Sequence, residues 1–260
     1  MRPCKRIVKS SKMTETELDF LEFMSEQTHC MQKKAKLDYL KTRKQFHIPS
    51  SKYVTFIRNQ ARSYKYNPRT AEGLIDLYKF SELWCLYVYL SYSYRPNTMQ
   101  EFSRIAKNII ENSVQPIIID YGCGLGYISF EIGRLGHYSE IFLVDVDNLV
   151  LKFANFRFVK HSIKVNLIRI DKKRVYPLLP EHDVCILFEV LEHVKEPLRV
   201  CENIISSLRP NGLLCGNFRD HRASPFHVSP NLHPIRKWVA LDFKKIGKFL
   251  YQKKIVRRRA

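Results

Sequence analysis

The stretch Ile117-Ile-Ile-Asp120-Tyr-Gly122-Cys-Gly124-Leu-Gly126 decides the fold of this chain. Its three isoleucines are typical of a buried strand, and the acid and three alternating glycines predict a tight turn at the strand's carboxyl end. The following segment, from Tyr127 to Leu135, is compatible with a helix. A strand, a glycine turn and a helix N-terminus together form a nucleotide-type pocket, because glycine lets the backbone approach a ligand closely.

Three further strand candidates follow in the order that an open α/β sheet requires. The segment 141–145 ends in Asp145, about twenty residues after the last glycine, which is the spacing of a carboxylate that hydrogen-bonds a ribose diol. The segment 165–170 runs into Asp171, and the segment 183–188 is the next candidate. We therefore predict a parallel sheet with its ligand at the carboxyl ends of the strands.

These segments, together with Leu208-Arg-Pro210-Asn-Gly212-Leu-Leu-Cys-Gly216, resemble the class I S-adenosylmethionine (SAM)-dependent methyltransferases over residues 115–218. Asn211 stands where that family usually has glycine, a mild change because asparagine tolerates left-handed dihedral angles. The resemblance implies an α/β fold with a Rossmann-like methyltransferase sheet and a helical N-terminal extension. It also implies SAM as the cofactor, with contacts from Asp120, Gly122, Cys123, Gly124, Gly126, Asp145, Val146, Asp171, Phe188 and Glu189.

Two other interpretations of the glycine turn fit less well. A tight strand-to-helix connection without a ligand does not need acids after three successive strands. An NAD-binding site needs glycines spaced as G-x-G-x-x-G, whereas Gly122, Gly124 and Gly126 follow G-x-G-x-G. The later Glu-Val-Leu-Glu-His and Arg-Pro-Asn-Gly segments also favour a methyltransferase.

The segment Phe188-Glu189-Val-Leu-Glu192-His193 carries the candidate catalytic chemistry. If it enters a helix, Glu189, Glu192 and His193 lie at positions i, i+3 and i+4 on one face. It resembles the ubiquinone-pathway O-methyltransferases, which carry E-x-x-E-H followed by a valine and a proline, as this chain does. It also resembles the small-RNA 2′-O-methyltransferases, which use this cluster and a later histidine to bind a metal at the terminal ribose.

Three roles for this segment stay open. Carboxylates and imidazoles can chelate a divalent ion such as Mg²⁺ or Mn²⁺. His193, with Glu189 beside it, could instead act as a general base without a metal. Many class I methyltransferases carry a similar V-L-E-H segment that lines the SAM pocket or caps a helix with no metal at all. The candidate metal ligands are Glu189, Glu192, His193 and His221, with His227 as a further later histidine.

Length and cysteine usage set limits on the class of protein. The 260 residues suffice for one α/β domain with an extension. No stretch is long and apolar enough to predict a membrane span, and the basic N-terminus lacks the apolar core and cleavage site of a signal peptide. The seven cysteines show no C-x-x-C spacing, which favours a reduced, cytoplasmic setting without structural zinc.

The net charge of +19 is high and unevenly distributed. Between Arg236 and Ala260, ten lysines and arginines face one acid, Asp242. Such a basic C-terminal end attracts nucleic acid, anionic lipid or an acidic partner. It is equally compatible with a solubilising surface that has no further function.

The chain divides into two parts by composition. We expect residues 1–113 to form the helical extension, with a mobile stretch to Met13, and residues 114–260 to form the methyltransferase domain. Thr14-Glu-Thr-Glu17 fits a capping box at the start of a helix. The apolar face of that helix is expected to hold Leu18, Phe20, Leu21 and Met24.

Two further expectations concern the rest of the chain. The many aromatic residues of segment 51–113 either belong to the core or form a lid and acceptor pocket that holds a planar substrate. The last two strands are expected near residues 243–251 and 254–256.

Three function classes therefore remain open. The first is methyl transfer from SAM to a hydroxyl of a small molecule, and the second is methylation of RNA, favoured by the charge and the later histidines. The third is a SAM-binding protein without catalysis, which the intact Asp145 and the glycine turn disfavour.

Overall fold

The computed structural model describes residues 13–26, 59, 67, 69–221 and 226–255. Within them the strands are β1 (Ile117–Tyr121), β2 (Glu140–Val146), β3 (Asn166–Ile170), β4 (His182–Leu187), β5 (Leu208–Gly216), β6 (Phe243–Gly247) and β7 (Leu250–Lys253). The helices are α1 (Glu15–Glu26), α2 (Ala71–Phe80), α3 (Glu82–Tyr92), α4 (Pro96–Glu111), α5 (Tyr127–Arg134), α6 (Leu149–Lys160), α7 (Pro197–Ser207) and α8 (His233–Asp242). A short 3₁₀ helix spans Leu191–His193.

The seven strands form one sheet in the order β3-β2-β1-β4-β5-β7-β6. Strands β1 to β5 are parallel, whereas β7 runs antiparallel to both β5 and β6. The strand order reverses at β1, which pairs with β2 on one side and with β4 on the other. Ligands of open α/β sheets bind in the crevice outside the strand ends at such a point, so the topology places a site after β1 and β4. The prediction of an α/β fold with a Rossmann-like sheet is confirmed.

Both faces of the sheet are covered, which explains the unbroken apolar runs in its central strands. Ile118 of β1 faces a core shared with α4, α5 and α6, and its neighbour Ile119 faces a second core shared with α7 and α8. In β4, Val184 faces the same core as Ile118, and Cys185 faces the same core as Ile119. The alternation of strand side chains therefore fixes which helix packs on which face.

Helix α1 packs onto the sheet domain through a third core. The predicted capping box is confirmed: the backbone N of Glu17 donates to Thr14 Oγ1 (3.3 Å), and the backbone N of Thr14 donates to Glu17 Oε2 (2.9 Å). Phe20 and Met24 are fully buried, with Leu21 half-buried at their side. The prediction that Leu18 belongs to the apolar face is wrong, since that side chain is 53% exposed and points away from the core.

The rest of the predicted helical extension is described in part. Helices α2, α3 and α4 lie within residues 71–111, as expected for a helical segment. Most of the stretch to Met13 and of segment 27–68 lies outside the described residues.

The end of the sheet differs from the prediction. One long strand was expected near 243–251 and another near 254–256, but β6 and β7 both lie within residues 243–253 and form a hairpin. Lys248 and Phe249 form the turn, with Phe249 in the left-handed region at φ 63°. The second expected strand is wrong for Lys254 and Ile255, which lie outside any strand, and residue 256 lies outside the described residues. The hairpin was missed because its turn lacks the Asn-Gly or Asp-Gly pair that usually marks one in a sequence.

Two further predictions concern cysteines and the membrane. Cys185 and Cys215 lie buried in β4 and β5, Cys123 is half-buried in the glycine turn, and each carries a free thiol. In the described part of the chain, no helix combines the length and the apolar character that crossing a bilayer requires.

Candidate active site

The glycine turn between β1 and α5 uses a backbone conformation that other residues rarely adopt. Gly122, Gly124 and Gly126 have φ values of 65°, 53° and 62°. A Cβ at Gly122 would lie 2.6 Å from the side chain of Val190, and a Cβ at Gly124 would lie 3.2 Å from the Tyr89 ring. Both the left-handed dihedral angles and the close neighbours therefore require glycine at this turn.

Asp120 lies behind the turn rather than in front of it. The Ser129 hydroxyl of α5 donates to Asp120 Oδ2 at 2.5 Å, so the carboxyl group ties the end of β1 to the first turn of that helix. Burial raises the pKa of Asp120 to about 7, and the hydrogen bond from Ser129 opposes part of this rise. Asp120 thus supports the turn without lining the pocket.

Asp145, at the end of β2, is bonded to the turn through the backbone. Its Oδ2 accepts a hydrogen bond from the Gly124 backbone N (2.7 Å), and its Oδ1 accepts one from the Val146 backbone N (2.6 Å). Burial raises the pKa of this carboxyl group, and the two amides lower it again in part. Each carboxylate oxygen has a second lone pair, so both oxygens can still accept a hydrogen bond from a ligand hydroxyl.

A cavity opens beside this turn, at the carboxyl ends of β1, β2 and β4. Four of the predicted cofactor residues line it, namely Gly122, Asp145, Val146 and Glu189. The other predicted ones, Asp120, Cys123, Gly124, Gly126, Asp171 and Phe188, do not. The remaining wall consists mostly of apolar and aromatic residues, including Leu74, Ile75, Tyr78, Tyr89, Tyr121, Ile170, Val175, Tyr176 and Val190.

Asp171 has a local role that its position after β3 did not reveal. Its Oδ1 accepts hydrogen bonds from the backbone N atoms of Lys173 (2.8 Å) and Arg174 (2.9 Å). These bonds lower the pKa of Asp171 and hold a tight turn. The adjacent residue Ile170 lines the cavity instead.

The E-x-x-E-H segment forms an acidic and histidine-rich cluster, although not on an α-helix. Glu189 has a left-handed φ of 57°, and Leu191–His193 makes a single 3₁₀ turn, so the expected helical face is wrong. The cause is the sharp exit from β4, which ends the regular backbone before Glu189. One ligand atom each of Glu189, Glu192 and His221 nevertheless lies within 4.8 Å of the others.

The side chains of this cluster lie close to one another. His221 Nε2 lies 3.1 Å from Glu192 Oε1 and 3.8 Å from Glu189 Oε2. His193 Nε2 lies 3.9 Å from Glu192 Oε1. The ring of His227 lies 4.8 Å from that of His193 and 4.9 Å from that of His221. The structure therefore brings together all four predicted metal ligands and the further histidine.

Asn217, at the end of β5, holds Glu189 in its unusual conformation. The Glu189 backbone N donates to Asn217 Oδ1 at 3.1 Å, and Asn217 Nδ2 donates in return to Glu189 Oε1. Arg219 Nη2 donates to the same Oε1 at 2.8 Å. Nothing in the sequence pattern marked Asn217, because it lies 28 residues away along the chain.

The buried carboxylate of Glu192 is incompletely satisfied. Its side chain is 1% exposed, and Oε1 has no hydrogen-bond partner among the described residues, since His221 lies close without the alignment of a hydrogen bond. Burial, with the nearby Glu189 carboxylate, raises the pKa of Glu192 to about 7. A buried oxygen without a hydrogen bond costs free energy unless a further group binds it.

His193 has a defined tautomer in this arrangement. Its Nδ1 lies 2.9 Å from the backbone O of Phe226, so Nδ1 carries the proton and Nε2 carries the lone pair toward Glu192. Burial lowers the pKa of His193 to about 4, which keeps the ring neutral. Phe226 in turn stacks on Trp84 (4.9 Å) and contacts Tyr78 (5.5 Å), so α2 and α3 anchor the loop that faces His193.

Comparison with known proteins relates this geometry to a family. Residues 113–248 match the family model described as a methyltransferase domain. The mitochondrial ubiquinone biosynthesis O-methyltransferase of Candida albicans is 28% identical over 123 residues, which cover 45% of this chain and 37% of that protein. The tRNA U34 carboxymethyltransferase of Campylobacter fetus subsp. fetus is 31% identical over 105 residues, which cover 39% of this chain and 36% of that protein.

The chain also has a distant similarity to solved structures. An O-methyltransferase family protein from Burkholderia thailandensis is 13% identical, with a TM-score of 0.47 over 75% of this chain and 62% of its own. The chain spans less than half the length of the curated relatives that it matches.

Proposed function

The chain belongs to the methyltransferase domain family, and on that premise we propose that it transfers the methyl group of SAM to a hydroxyl of a small-molecule acceptor. The observation that carries this proposal is a cavity bordered on one side by Gly122 and Asp145 and on the other by Glu189 and His193. A donor site and a group able to activate a hydroxyl thus face the same space. The ubiquinone relatives are O-methyltransferases by name, which supports oxygen as the acceptor atom.

The residues around the cavity fit SAM. The glycines of the turn at residues 122–126 expose backbone at positions where a side chain would collide with its neighbours. Asp145 keeps free lone pairs that can accept hydrogen bonds from a ribose diol. We assign the methionine and ribose portions to this turn and to Asp145. The adenine would pack on the apolar wall of Ile170, Val175 and Tyr176, with Asp171 outside the cavity.

Alignment of donor and acceptor is the main task of the protein in this reaction. When bound, SAM supplies a methyl group that its sulfonium has already activated, so transfer needs an in-line approach and exclusion of water. Tyr78 of α2 and Tyr89 of α3 line the cavity opposite the strand ends. We propose that these rings, with Trp84 and Phe226 behind them, shield the reacting atoms from solvent.

The acidic and histidine-rich cluster fits a divalent cation. Glu192 Oε1 is buried without a hydrogen-bond partner among the described residues, and Glu189 and His221 offer ligand atoms within 4.8 Å. We propose that Glu189, Glu192, His221 and His193 hold Mg²⁺ or Mn²⁺. Carboxylate oxygens suit both ions, and the two imidazoles favour Mn²⁺, the softer of the two. When bound, such an ion lowers the pKa of an acceptor hydroxyl.

His193 can also move the acceptor's proton. Because its Nδ1 donates to the Phe226 carbonyl, its Nε2 keeps a lone pair, and His193 lines the cavity. We propose that Nε2 accepts the hydroxyl proton if no ion occupies the cluster, while Glu189, fixed by Asn217, orients the acceptor.

A second candidate function is 2′-O-methylation of RNA. The specific observation in its favour is that His221 and His227 join the E-x-x-E-H segment in space, which is the arrangement that the resemblance to the small-RNA enzymes implies. The net charge of +19 would favour a polyanionic acceptor. A SAM-binding protein without catalysis is the third and weakest candidate.

Parts of the basic C-terminal end serve the fold. Lys253 Nζ donates to the carbonyl of Ile205, and Lys254 Nζ donates to those of Ala240 and Leu241 (2.8 Å each). Lys244 and Lys245 are exposed on the edge strand β6. We therefore limit the proposed anionic contact surface to these two lysines, the equally exposed Lys237 and residues 256–260, the last of which lie outside the described part of the chain.

The division into a helical extension (1–113) and a methyltransferase domain (114–260) and the cytoplasmic location stay proposals. Expression of residues 114–260 alone and cell fractionation would test them. Helix α1 shares a core with α6, so we expect the shortened chain to be less stable than the full one.

Cofactor binding is the first test. Calorimetric titration with SAM should show binding to the wild-type chain and at least tenfold weaker binding to Asp145→Ala, since an acceptor for two hydroxyls is lost. Asp147→Ala is the matched control, because Asp147 lies two residues away with an exposed side chain paired to Arg169. Equal SAM affinity of Asp145→Ala and the control would refute the assigned site.

Acceptor class and metal use need a second experiment. Tritiated SAM would be incubated with cell extract, with and without Mn²⁺ or Mg²⁺, and the label divided by RNase, protease and organic extraction. Label in the organic fraction supports the small-molecule proposal, and loss of label to RNase supports the RNA alternative. Metal dependence that Glu192→Gln abolishes and the exposed control Glu196→Gln preserves would support the ion site. SAM binding without any transfer would favour the non-catalytic candidate.

A further inference from the structure

Arg157 of α6 is a buried cation on the side of the glycine turn that faces away from the cavity. Its side chain is 3% exposed, and its guanidinium lies 3.7 Å from the centre of the Phe130 ring. Its Nη1 donates to the backbone O of Leu125 at 3.4 Å, and Leu125 stands between two glycines of the turn. The guanidinium therefore touches both the turn and the helix that follows it.

Asp19 of helix α1 supplies the counter-charge. Its Oδ2 lies 3.4 Å from Arg157 Nε and 3.0 Å from His161 Nε2, and its Oδ1 lies 2.9 Å from Lys160 Nζ. The Asp19 carboxylate is 2% exposed, so it acts in a setting with little screening by water. Breaking a buried pair by removing one partner leaves the other charge uncompensated.

We propose that Arg157, held by Asp19, is a positioning residue for the glycine turn, so that docking of helix α1 sets the affinity of the chain for SAM. This inference rests on the proposed SAM site but concerns residues that do not line it. The turn is held from two sides. Asp145 binds the Gly124 amide on the cavity side, and Arg157 binds the Leu125 carbonyl on the opposite side.

The packing around the turn supports this coupling. Leu125 and Tyr127 share one core with Phe20 and Phe23 of α1 and with Phe153 of α6. A displacement of α1 would therefore remove both the apolar contacts and the counter-charge behind the turn. Because coupling between two sites is reciprocal, SAM binding should tighten the docking of α1 by the same factor.

The test compares three variants of the full chain. Asp19→Asn removes the counter-charge, and Arg157→Lys keeps the positive charge beside Asp19 but shortens its reach to Leu125. Glu22→Gln is the matched control, because Glu22 lies on the same helix, binds the same Lys160 at 2.6 Å and is 50% exposed. Titration with SAM should show about tenfold weaker binding for the first two variants and unchanged binding for the control.

Hydrogen exchange of the ligand-free proteins separates positioning from general destabilisation. Amides of the turn at residues 124–126 should exchange faster in Asp19→Asn and Arg157→Lys than in the wild type, while amides of strand β4 change little. Wild-type α1 amides should become better protected when SAM is added. Equal loss of protection in the turn and in β4, with SAM affinity unchanged, would overturn the inference. If the wild type binds no SAM, the proposed function fails, and the ligand-free exchange still decides whether Arg157 holds the turn.

Discussion

Replacement of Asp120 by asparagine should make the protein more stable than the wild type above neutral pH, although the residue belongs to the glycine motif. Asp120 is 5% exposed, and burial raises the pKa of its carboxyl group from 3.8 to about 7. Folding therefore favours the protonated form. Its stabilising effect is fully present below pH 3.8 and is lost as the pH rises through about 7. Asparagine keeps the shape and cannot ionise.

The size of the effect follows from the shift in pKa. The rise of about three units corresponds to about 4 kcal/mol at roughly 1.4 kcal/mol per unit. The raised pKa of about 7 lies about two pH units above pH 5. Between pH 5 and pH 8 the wild type should therefore lose about 3 kcal/mol of unfolding free energy relative to Asp120→Asn. Since domains unfold with about 5–15 kcal/mol, such a loss is easily measured.

Urea unfolding followed by circular dichroism at pH 5, 6, 7 and 8 checks this prediction. The variant and the wild type share every other titrating group, so the difference between their unfolding free energies reports Asp120. Ser129→Ala is the control in the opposite direction, because it removes the hydroxyl that lowers the pKa of Asp120. It should lose more stability at high pH than the wild type. A difference between Asp120→Asn and the wild type that stays constant from pH 5 to pH 8 would refute the reasoning.

Three further changes have expected outcomes in unfolding free energy, each measured by urea unfolding. Asn211→Gly should be almost neutral, whereas Asn211→Val should cost about 1–2 kcal/mol, because residue 211 has a left-handed φ of 61° at an exposed position of β5. Phe20→Ala should cost about 3–5 kcal/mol, because the ring is fully buried and packs edge-on against Phe153; a cost below 1 kcal/mol would show that α1 does not dock. Lys253→Met should cost about 1–3 kcal/mol, because it removes the ammonium group that donates to the carbonyls of Ile205 and Leu208; no cost would show that these two bonds do not stabilise the fold.

The parallel half of the sheet could be predicted because its signals are local. Strands β1 to β4 each carry a short apolar run, and the turn at Gly122 needs dihedral angles that few residues tolerate. Asn211 is a second example, since its left-handed φ matches what the sequence suggested. The hairpin of β6 and β7 was misplaced because Lys248 and Phe249 make a turn without its usual residues.

The candidate site could be predicted only where one segment carries several of its groups. Glu189, Glu192 and His193 lie within five positions of the sequence, so they are also close together in the fold. Asn217 and Arg157 come from distant segments and were missed, because nothing in a local pattern shows which polar side chain a fold brings to a carboxylate or a turn. Asp171 was predicted to contact the cofactor because it follows β3, but its carboxylate accepts hydrogen bonds from backbone amides of its own turn.

The antiparallel strand β7 has a consequence for synthesis of the chain on the ribosome. It lies between β5 and β6, and both β6 and β7 follow β5 by more than 25 residues. While the polypeptide emerges, β5 therefore presents an unpaired edge with the apolar residues Leu213 and Leu214 until residue 253 has left the exit tunnel. Unpaired edges are where nascent chains aggregate, so this part of the sheet is where we expect a chaperone to bind during translation.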